Sequence, residues 1–291
     1  MVPLIDTHQH LIYPDRLGYS WAEGKPALAG RAFTVEDYQS LTAGAGVAGT
    51  IFMECAVDND DHRAEAELVA GLARKPGSGI LGIIASIRPE NDPGFDEWLD
   101  EGPSLGVVGY RRILHEVADE VSRSETFRAN IRRIGARGRV FDMVFRARQL
   151  PVALELARAC PGTSLVLDHC GVPDIAGGGL DPWRADIAAL AGEPNVTAKI
   201  SGVFAYCAPG AVTLEAVRPY VEHVIAAFGP ERCLWGGDWP VVNTQGGSLP
   251  AWIAATRAIL EGLSADEAAA IGHRTAERVY GVRLPGEGRL S

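Results

Sequence analysis

The sequence predicts an α/β protein folded as one (β/α)8 barrel, the TIM-barrel class, with residues 1–291 forming a single domain. Three observations predict it. Eight short β-branched or apolar runs recur along the chain, and helical stretches separate them. The 291 residues suffice for eight strand–helix units, which take about 250, and for little more. No Pro/Ser-rich or charge-run linker divides the chain into halves.

The expected strands are Leu4–His8, Thr50–Cys55, Ile80–Ile87, Val107–Leu114, Val140–Val144, Leu165–His169, Val196–Ser201 and Cys233–Asp238. Helix signals fall between them. Thr34 offers an N-cap ahead of Val35-Glu36-Asp37. Asp60–Lys75 places Ala64, Leu68, Leu72 and Ala73 on one face and stops at Pro76-Gly77. Ser124–Arg137 ends at Gly138, Gln149–Cys160 at Pro161-Gly162, and Ala216–Phe228 at Gly229-Pro230. Asp181–Ala191 opens with Asp-Pro, an N-cap followed by proline. After the eighth strand come Pro250–Leu260 and Ser264–Tyr280, the latter opening with Ser264 and Glu267 at capping-box spacing. An open doubly wound sheet would carry a glycine-rich turn after its first strand, where this chain has His8-Gln9-His10-Leu11. Gly177-Gly178-Gly179 has no strand before it and no Lys-Ser/Thr after it, so it reads as a flexible loop and not as a phosphate cradle.

The balance of 47% hydrophobic and 22% charged residues is that of a soluble globular protein. A net charge of −10 argues against nucleic acid as a partner, while leaving room for a local positive pocket. The first residues lack the basic-then-apolar pattern of a signal peptide, and no apolar run reaches the roughly 18 residues of a membrane span. Five cysteines, scattered without a C-x-x-C pair, predict free thiols in a reducing, cytoplasmic compartment, with Cys170 a small buried residue. The expected partner is a small-molecule substrate; assembly into a homo-oligomer is left open.

In a barrel the informative polar residues stand at the C-terminal ends of the strands, because active sites are built there. His8 and His10 end the first strand two residues apart, so both side chains point the same way and can grip one metal ion or one substrate oxygen. In Leu165-Val166-Leu167-Asp168-His169 the same alternation sends His169 into the site and Asp168 towards the surrounding helices. The eighth strand, Leu234-Trp235-Gly236-Gly237-Asp238-Trp239-Pro240, places two glycines before a carboxylate; glycine weakens a strand, so something must approach closely there. Asp238 can act as general base to a water molecule. On the fourth strand Arg111 and His115 share a face and suit a carboxylate or hydroxyl of the substrate, whereas Arg112 faces outward. Lys199 and Ser201 end the seventh strand on one face, and Glu54 and Asp142 are further candidates.

Together these residues resemble the amidohydrolase superfamily, and within it the "amidohydrolase 2" branch that contains sugar lactonases and pyrone dicarboxylate lactonase. The stretches that carry the resemblance run through almost the whole chain. They are Ile5-Asp6-Thr7-His8-Gln9-His10, Tyr19-Ser20-Trp21, Gly109-Tyr110-Arg111-Arg112-Ile113-Leu114, Leu167-Asp168-His169-Cys170-Gly171, Lys199-Ile200-Ser201-Gly202, and Phe228–Arg232 with Gly237-Asp238-Trp239-Pro240. Binuclear members of the superfamily add a bridging carboxylated lysine or glutamate and a further histidine from the middle strands. The corresponding strands here offer Arg111, Asp142 and Lys199 instead. The resemblance therefore implies one divalent metal ion, Zn²⁺, on His8, His10, His169 and Asp238, or a metal-independent site, and no second ion.

The activity it implies is hydrolysis of a sugar-acid or related carboxylated lactone. Asp238 takes a proton from water, and His8, His10 and His169 polarise the carbonyl. Arg111, His115, Lys199, Trp21 and Glu54 are the expected substrate contacts. Two other readings stand beside it. One is a metal-dependent non-oxidative decarboxylase, which would need an additional histidine ligand that the chain does not offer. The other is a catalytically silent barrel that binds a metabolite.

Overall fold

The computed structural model describes residues 1–58 and 61–284. Eight strands, β1 (Leu4–Gln9), β2 (Val47–Met53), β3 (Ile80–Ser86), β4 (Val107–Ile113), β5 (Val140–Val144), β6 (Leu165–Leu167), β7 (Val196–Ile200) and β8 (Cys233–Trp235), form one sheet in chain order. Every paired neighbour is parallel. The sheet closes where the residues after β8 meet β1: the Asp238 amide donates to the His8 carbonyl at 2.8 Å, and the His10 amide to the Trp239 carbonyl at 2.9 Å. This is the (β/α)8 barrel that the alternation predicts.

Strand alternation sorts the core into two layers. Leu4, Phe52, Ile83, Phe141, Leu165, Leu167, Cys233 and Trp235 belong to the shell between strands and helices. Ile5, Ile51, Met53, Ile84, Val140, Val166 and Leu234 fill the lumen. Because Val166 is luminal, Asp168, two residues on, falls on the luminal side as well. The outward assignment of Asp168 is therefore one residue out of register. In β1 both Ile5 and His8 reach the lumen, because β1 carries one residue more than β2 between Asp6 and Gln9.

The helices α1 (Val35–Thr42), α2 (His62–Ala73), α3 (Phe95–Glu101), α4 (Glu120–Arg123), α5 (Glu125–Ala136), α6 (Leu150–Ala159), α7 (Trp183–Ala191), α8 (Leu214–Phe228), α9 (Leu249–Leu260), α10 (Ala265–Ala269) and α11 (Thr275–Tyr280) surround the strands. Thr34 caps α1 and Ser264 caps α10, each in a capping box with the third helical residue. Asp60, the expected start of the second helix, lies outside the described residues. Asp181 is not an N-cap, since α7 begins after Pro182. The helix expected over Ser264–Tyr280 is α10 and α11 joined by a π turn at Ala270–Arg274, and α3 gave no sequence signal that singled it out. Tyr280, Val282 and Leu284 at the end of this segment join the luminal cluster and stop the barrel from below. All five cysteines are free and buried. No helix among the described residues is long and apolar enough to cross a membrane.

The seam between β8 and β1 explains the paired glycines. Asp6, fully buried, accepts from the amides of His8 (2.9 Å) and Gly237 (2.7 Å) and from the Tyr38 hydroxyl (2.6 Å). A β-carbon on Gly236 would stand 2.7 Å from that of His8, and one on Gly237 would stand 2.4 Å from Asp6 Oδ2. Gly237→Ala should therefore cost about 1–3 kcal/mol through overpacking, read as a lower midpoint in thermal or urea unfolding. An unchanged midpoint would show that the seam can spread.

Candidate active site

Two of the central groups owe their position to strained backbone. After β6 the chain leaves extended geometry, and His169 and Cys170 adopt φ of 57° and 54°; after β8, Asp238 adopts 55°. Side chains rarely take this left-handed region, and such strain concentrates where a fold aims a functional group. The turn swings His169 back towards His8, with ring centres 4.4 Å apart, so Asp168 and His169 both reach the centre. Gly202 leaves the space: a β-carbon there would lie 2.4 Å from His169 Nδ1 and 2.9 Å from Asp238 Oδ2.

The floor of the site is a buried ion cluster. Lys199 Nζ lies 2.5 Å from Asp142 Oδ2 and 3.0 Å from Asp168 Oδ1, with all three side chains fully inaccessible. The Tyr280 hydroxyl donates to Asp142 at 2.8 Å. Burial pushes the Asp142 carboxyl up to about 6, against the pull of Lys199. Burial acts the same way on Asp168, but there Lys199 and His8 prevail and hold it well below the usual carboxylate range. Asp168 Oδ1 stands 3.6 Å from His8 Nδ1 and so orients that ring. Burial keeps the His8 ring well below the ordinary histidine range despite Asp168, and lowers His169 despite Asp238.

Above the floor, His10 Nδ1 lies 2.9 Å from the Met53 carbonyl, which can only accept, so the neutral ring carries its proton there. His10 Nε2 then turns a lone pair to Asp238 Oδ1 at 3.4 Å, and His8 Nε2 approaches the same oxygen at 3.7 Å. Three electron-pair donors thus converge, their ligating atoms within 4.8 Å of one another. Ligands about 2.0–2.2 Å from a tetrahedral ion stand roughly 3.3–3.6 Å apart, and the separations of 3.4 and 3.7 Å to Asp238 lie close to this. The charge balance points the same way: Arg111 and Lys199 pair with Glu54, Asp142 and Asp168, while Asp238 faces only the two imidazoles. This group can hold a divalent cation. A second group, His8, Asp168 and His169, shares His8 with the first. The four expected ligands are thus split between the two groups. Arg111 Nη1 lies 3.2 Å from His8 Nε2, so guanidinium and cation draw on one lone pair.

A cavity of about 620 Å³ opens over this cluster, with His10, Arg111, His169 and Asp238 in its inner wall and Trp21 and His115 further out. A larger space of about 710 Å³ between α7 and α8 is an open trough that holds none of these groups. Lys199 does not border the cavity, contrary to its expected substrate contact: it lies beneath, consumed by two carboxylates. Glu54 likewise lies behind the wall. Its Oε1 accepts from Arg111 Nε at 2.7 Å and holds the guanidinium, which does border the cavity, in place. Arg112 pairs with Glu90 on the outer side at 2.8 Å. Ser201 Oγ stands 2.9 Å from His169 Nδ1, leaving Nε2 as the free nitrogen of that ring. Asp6, buried beside the site, and Tyr206, half-buried in the cavity wall, are not singled out by the sequence pattern as site residues.

Residues 5–282 match the family model described as Amidohydrolase. The chain belongs to the amidohydrolase family. L-fucono-1,5-lactonase of Burkholderia ambifaria is 30% identical over 254 residues, which cover 86% of this amidohydrolase and 85% of that relative. 4-Sulfomuconolactone hydrolase of Rhizobium radiobacter is 28% identical over 242 residues, covering 81% and 75% of the two chains. Among solved structures, an amidohydrolase from Burkholderia multivorans with bound zinc superposes with a TM-score of 0.86 at 25% identity, over 97% of this chain and 100% of that one.

The ion cluster makes a direct prediction. Lys199→Met leaves Asp142 and Asp168 buried without their cation, which should destabilise the fold by about 3–5 kcal/mol at pH 8. Beside Lys199 burial already raises the Asp142 carboxyl to about 6, and without the ammonium it rises further, so the variant should begin to recover stability above pH 6 and continue as pH falls towards 4, in urea unfolding followed from pH 8 to 4. A variant as stable as the parent at pH 8 would mean that the two carboxylates are not held by Lys199.

Proposed function

We propose that this amidohydrolase is a lactonase that opens a cyclic ester with water activated by Asp238. The observation that carries the proposal is the convergence of Asp238 with the lone pair of His10 on the inner wall of one cavity, with the lone pair of the buried His8 directed at the same carboxylate oxygen from behind. Relatives with names ending in lactonase and lactone hydrolase support it. His8, His10 and Asp238 would hold a zinc ion, which when bound polarises the carbonyl and favours ionisation of water. The zinc-bound neighbour supports that choice of ion.

The chain's own groups supply the rest. Asp238 takes one proton from water as its oxygen bonds to the carbonyl carbon. Arg111, fixed by Glu54, and His169, fixed by Ser201, face the cavity where the oxyanion develops. When the tetrahedral adduct collapses, the ring C–O bond breaks and the leaving alkoxide recovers the proton from Asp238. The product is a hydroxy acid, which ionises at neutral pH and acidifies the medium. Asp168 and Lys199 act one layer back: Asp168, held by Lys199, orients the His8 ring, which burial keeps neutral. His115, 2.9 Å from Glu116, and Trp21 supply the outer wall against which the substrate rests.

A lactone panel read with a pH indicator tests the reaction class: acid release supports hydrolysis, whereas CO2 loss with alkalinisation supports decarboxylation. Asp238→Asn keeps the shape and removes the proton acceptor. Its kcat should fall by about 10²–10⁴ with KM little changed. Metal content, measured on the same preparations, separates loss of the base from loss of the ion. Near-full kcat with fold and metal intact would remove Asp238 from the mechanism.

A further inference from the structure

The relatives named above act on a lactone of a sugar acid and on a sulfonated lactone, which differ in whether a charged substituent accompanies the ring. The outer half of the cavity bears on this difference. The loop between β1 and α1 folds over the mouth, tied down by the paired backbone of Ile12 and Phe33 and by the Gly18 amide donating to Asp61 at 2.9 Å. On it, Trp21 and Lys25 both border the cavity. Trp21 lies in the single 3-10 turn Ser20–Ala22. The Lys25 amide donates to the Ala22 carbonyl at 3.0 Å, and the Lys25 carbonyl accepts from Leu28 and Ala29 at 2.8 and 2.9 Å. The backbone beneath this lysine is therefore set by hydrogen bonds.

Its ammonium stands 4.7 Å above the centre of the Trp21 ring. That contact holds the cation against the aromatic face without neutralising it, and leaves its N–H groups available. The other charges of the cavity wall are spent. Arg111 is bonded to Glu54, and Glu116 is paired with His115 at 2.9 Å and Arg146 at 3.1 Å. Asp238 faces the two imidazoles. Among the described residues, Lys25 forms no ion pair, although the chain carries a net charge of −10. Of the other residues that line the cavity, Tyr206, Thr244 and Gln245 are uncharged. A cation left without its counter-charge at the mouth of a cavity, in an acidic protein, fits an anion that arrives with the ligand.

We infer that Lys25, seated on Trp21, is a substrate-binding residue for an anionic substituent, and that the preferred substrate is a lactone bearing a carboxylate or sulfonate besides its ester. This rests on the lactonase reading and adds the class of substrate to it. The test uses two lactones of one ring size that differ only in whether the terminal carbon is a hydroxymethyl or a carboxylate. A third ligand is the open-chain dicarboxylate, which does not react. The enzyme should show the higher kcat/KM on the anionic lactone, and this advantage should shrink between 20 and 200 mM salt, at about the ionic strengths where exposed charges become screened. Lys25→Met keeps the apolar stem over Trp21 and removes the charge. It should raise KM for the anionic lactone about tenfold relative to the neutral one, with kcat unchanged, and Lys25→Arg should restore the preference. A neutral-lactone preference in the parent enzyme, or an equal rise in KM for both lactones, would overturn the inference. Calorimetric binding of the dicarboxylate separates the two readings. If neither lactone is opened but the parent binds the dicarboxylate about tenfold tighter than Lys25→Met, the anion site stands and the lactonase reading falls. Equal binding overturns the anion site.

Discussion

The Lys199 ammonium, clamped between Asp142 and Asp168 in the middle of the barrel, is the constraint from which the site is assembled. Removing an ammonium and two carboxylates from water is costly, and an apolar core of the same volume would serve stability as well or better. What the cluster provides is direction. With Asp168 held anionic, His8 is turned so that one nitrogen faces Asp168 and the other faces Asp238. Arg111 reaches the same carboxylate at 3.5 Å while Glu54 fixes its other edge. The inner groups His8, Arg111 and His169 thus each have a partner behind them, so little reorganisation is needed when charge develops on a substrate.

Closure of the barrel supplies the second constraint. Asp6 and Gly237 are 231 residues apart in sequence, yet their bond joins the first strand to the end of the last. Around it Thr7 Oγ1 donates to the Trp235 carbonyl at 2.6 Å and Trp252 Nε1 to that of Gly236 at 2.8 Å. Side chains take over where the ladder ends, and this lets Asp238 leave the strand and turn to His8 and His10. The dipeptide Gly236-Gly237 is thus a requirement of the seam as much as of the cavity.

Much of this was legible in the sequence because it depends on local rules. Strand runs, caps and the period of two locate eight strands and most helices, and group Arg111 apart from Arg112 and Lys199 with Ser201. Asp168 was misplaced because alternation was counted outward from His169, a residue already outside the strand and in left-handed geometry. That conformation is invisible in a sequence where neither residue 169 nor residue 238 is glycine. Glu54 and Lys199 were read as substrate contacts because their partners lie on other strands, 57 residues away in each case. Burial of an ion pair is a property of two positions together. Lys25 carried no signal at all, since a lysine in a loop is ordinary until the loop's path over the cavity is known.

Tyr280 belongs to the last described helix, yet its hydroxyl reaches Asp142 and its ring lies 5.7 Å from the Lys199 ammonium. The charge cluster is therefore completed from outside the strands that carry it, by a helix that follows β8. With Val282 and Leu284 this segment plugs the lumen, so the dryness that tunes Asp142 and Asp168 depends on how that helix packs. A change at Tyr280 would thus reach the site through the hydration of its floor, although Tyr280 does not border the cavity.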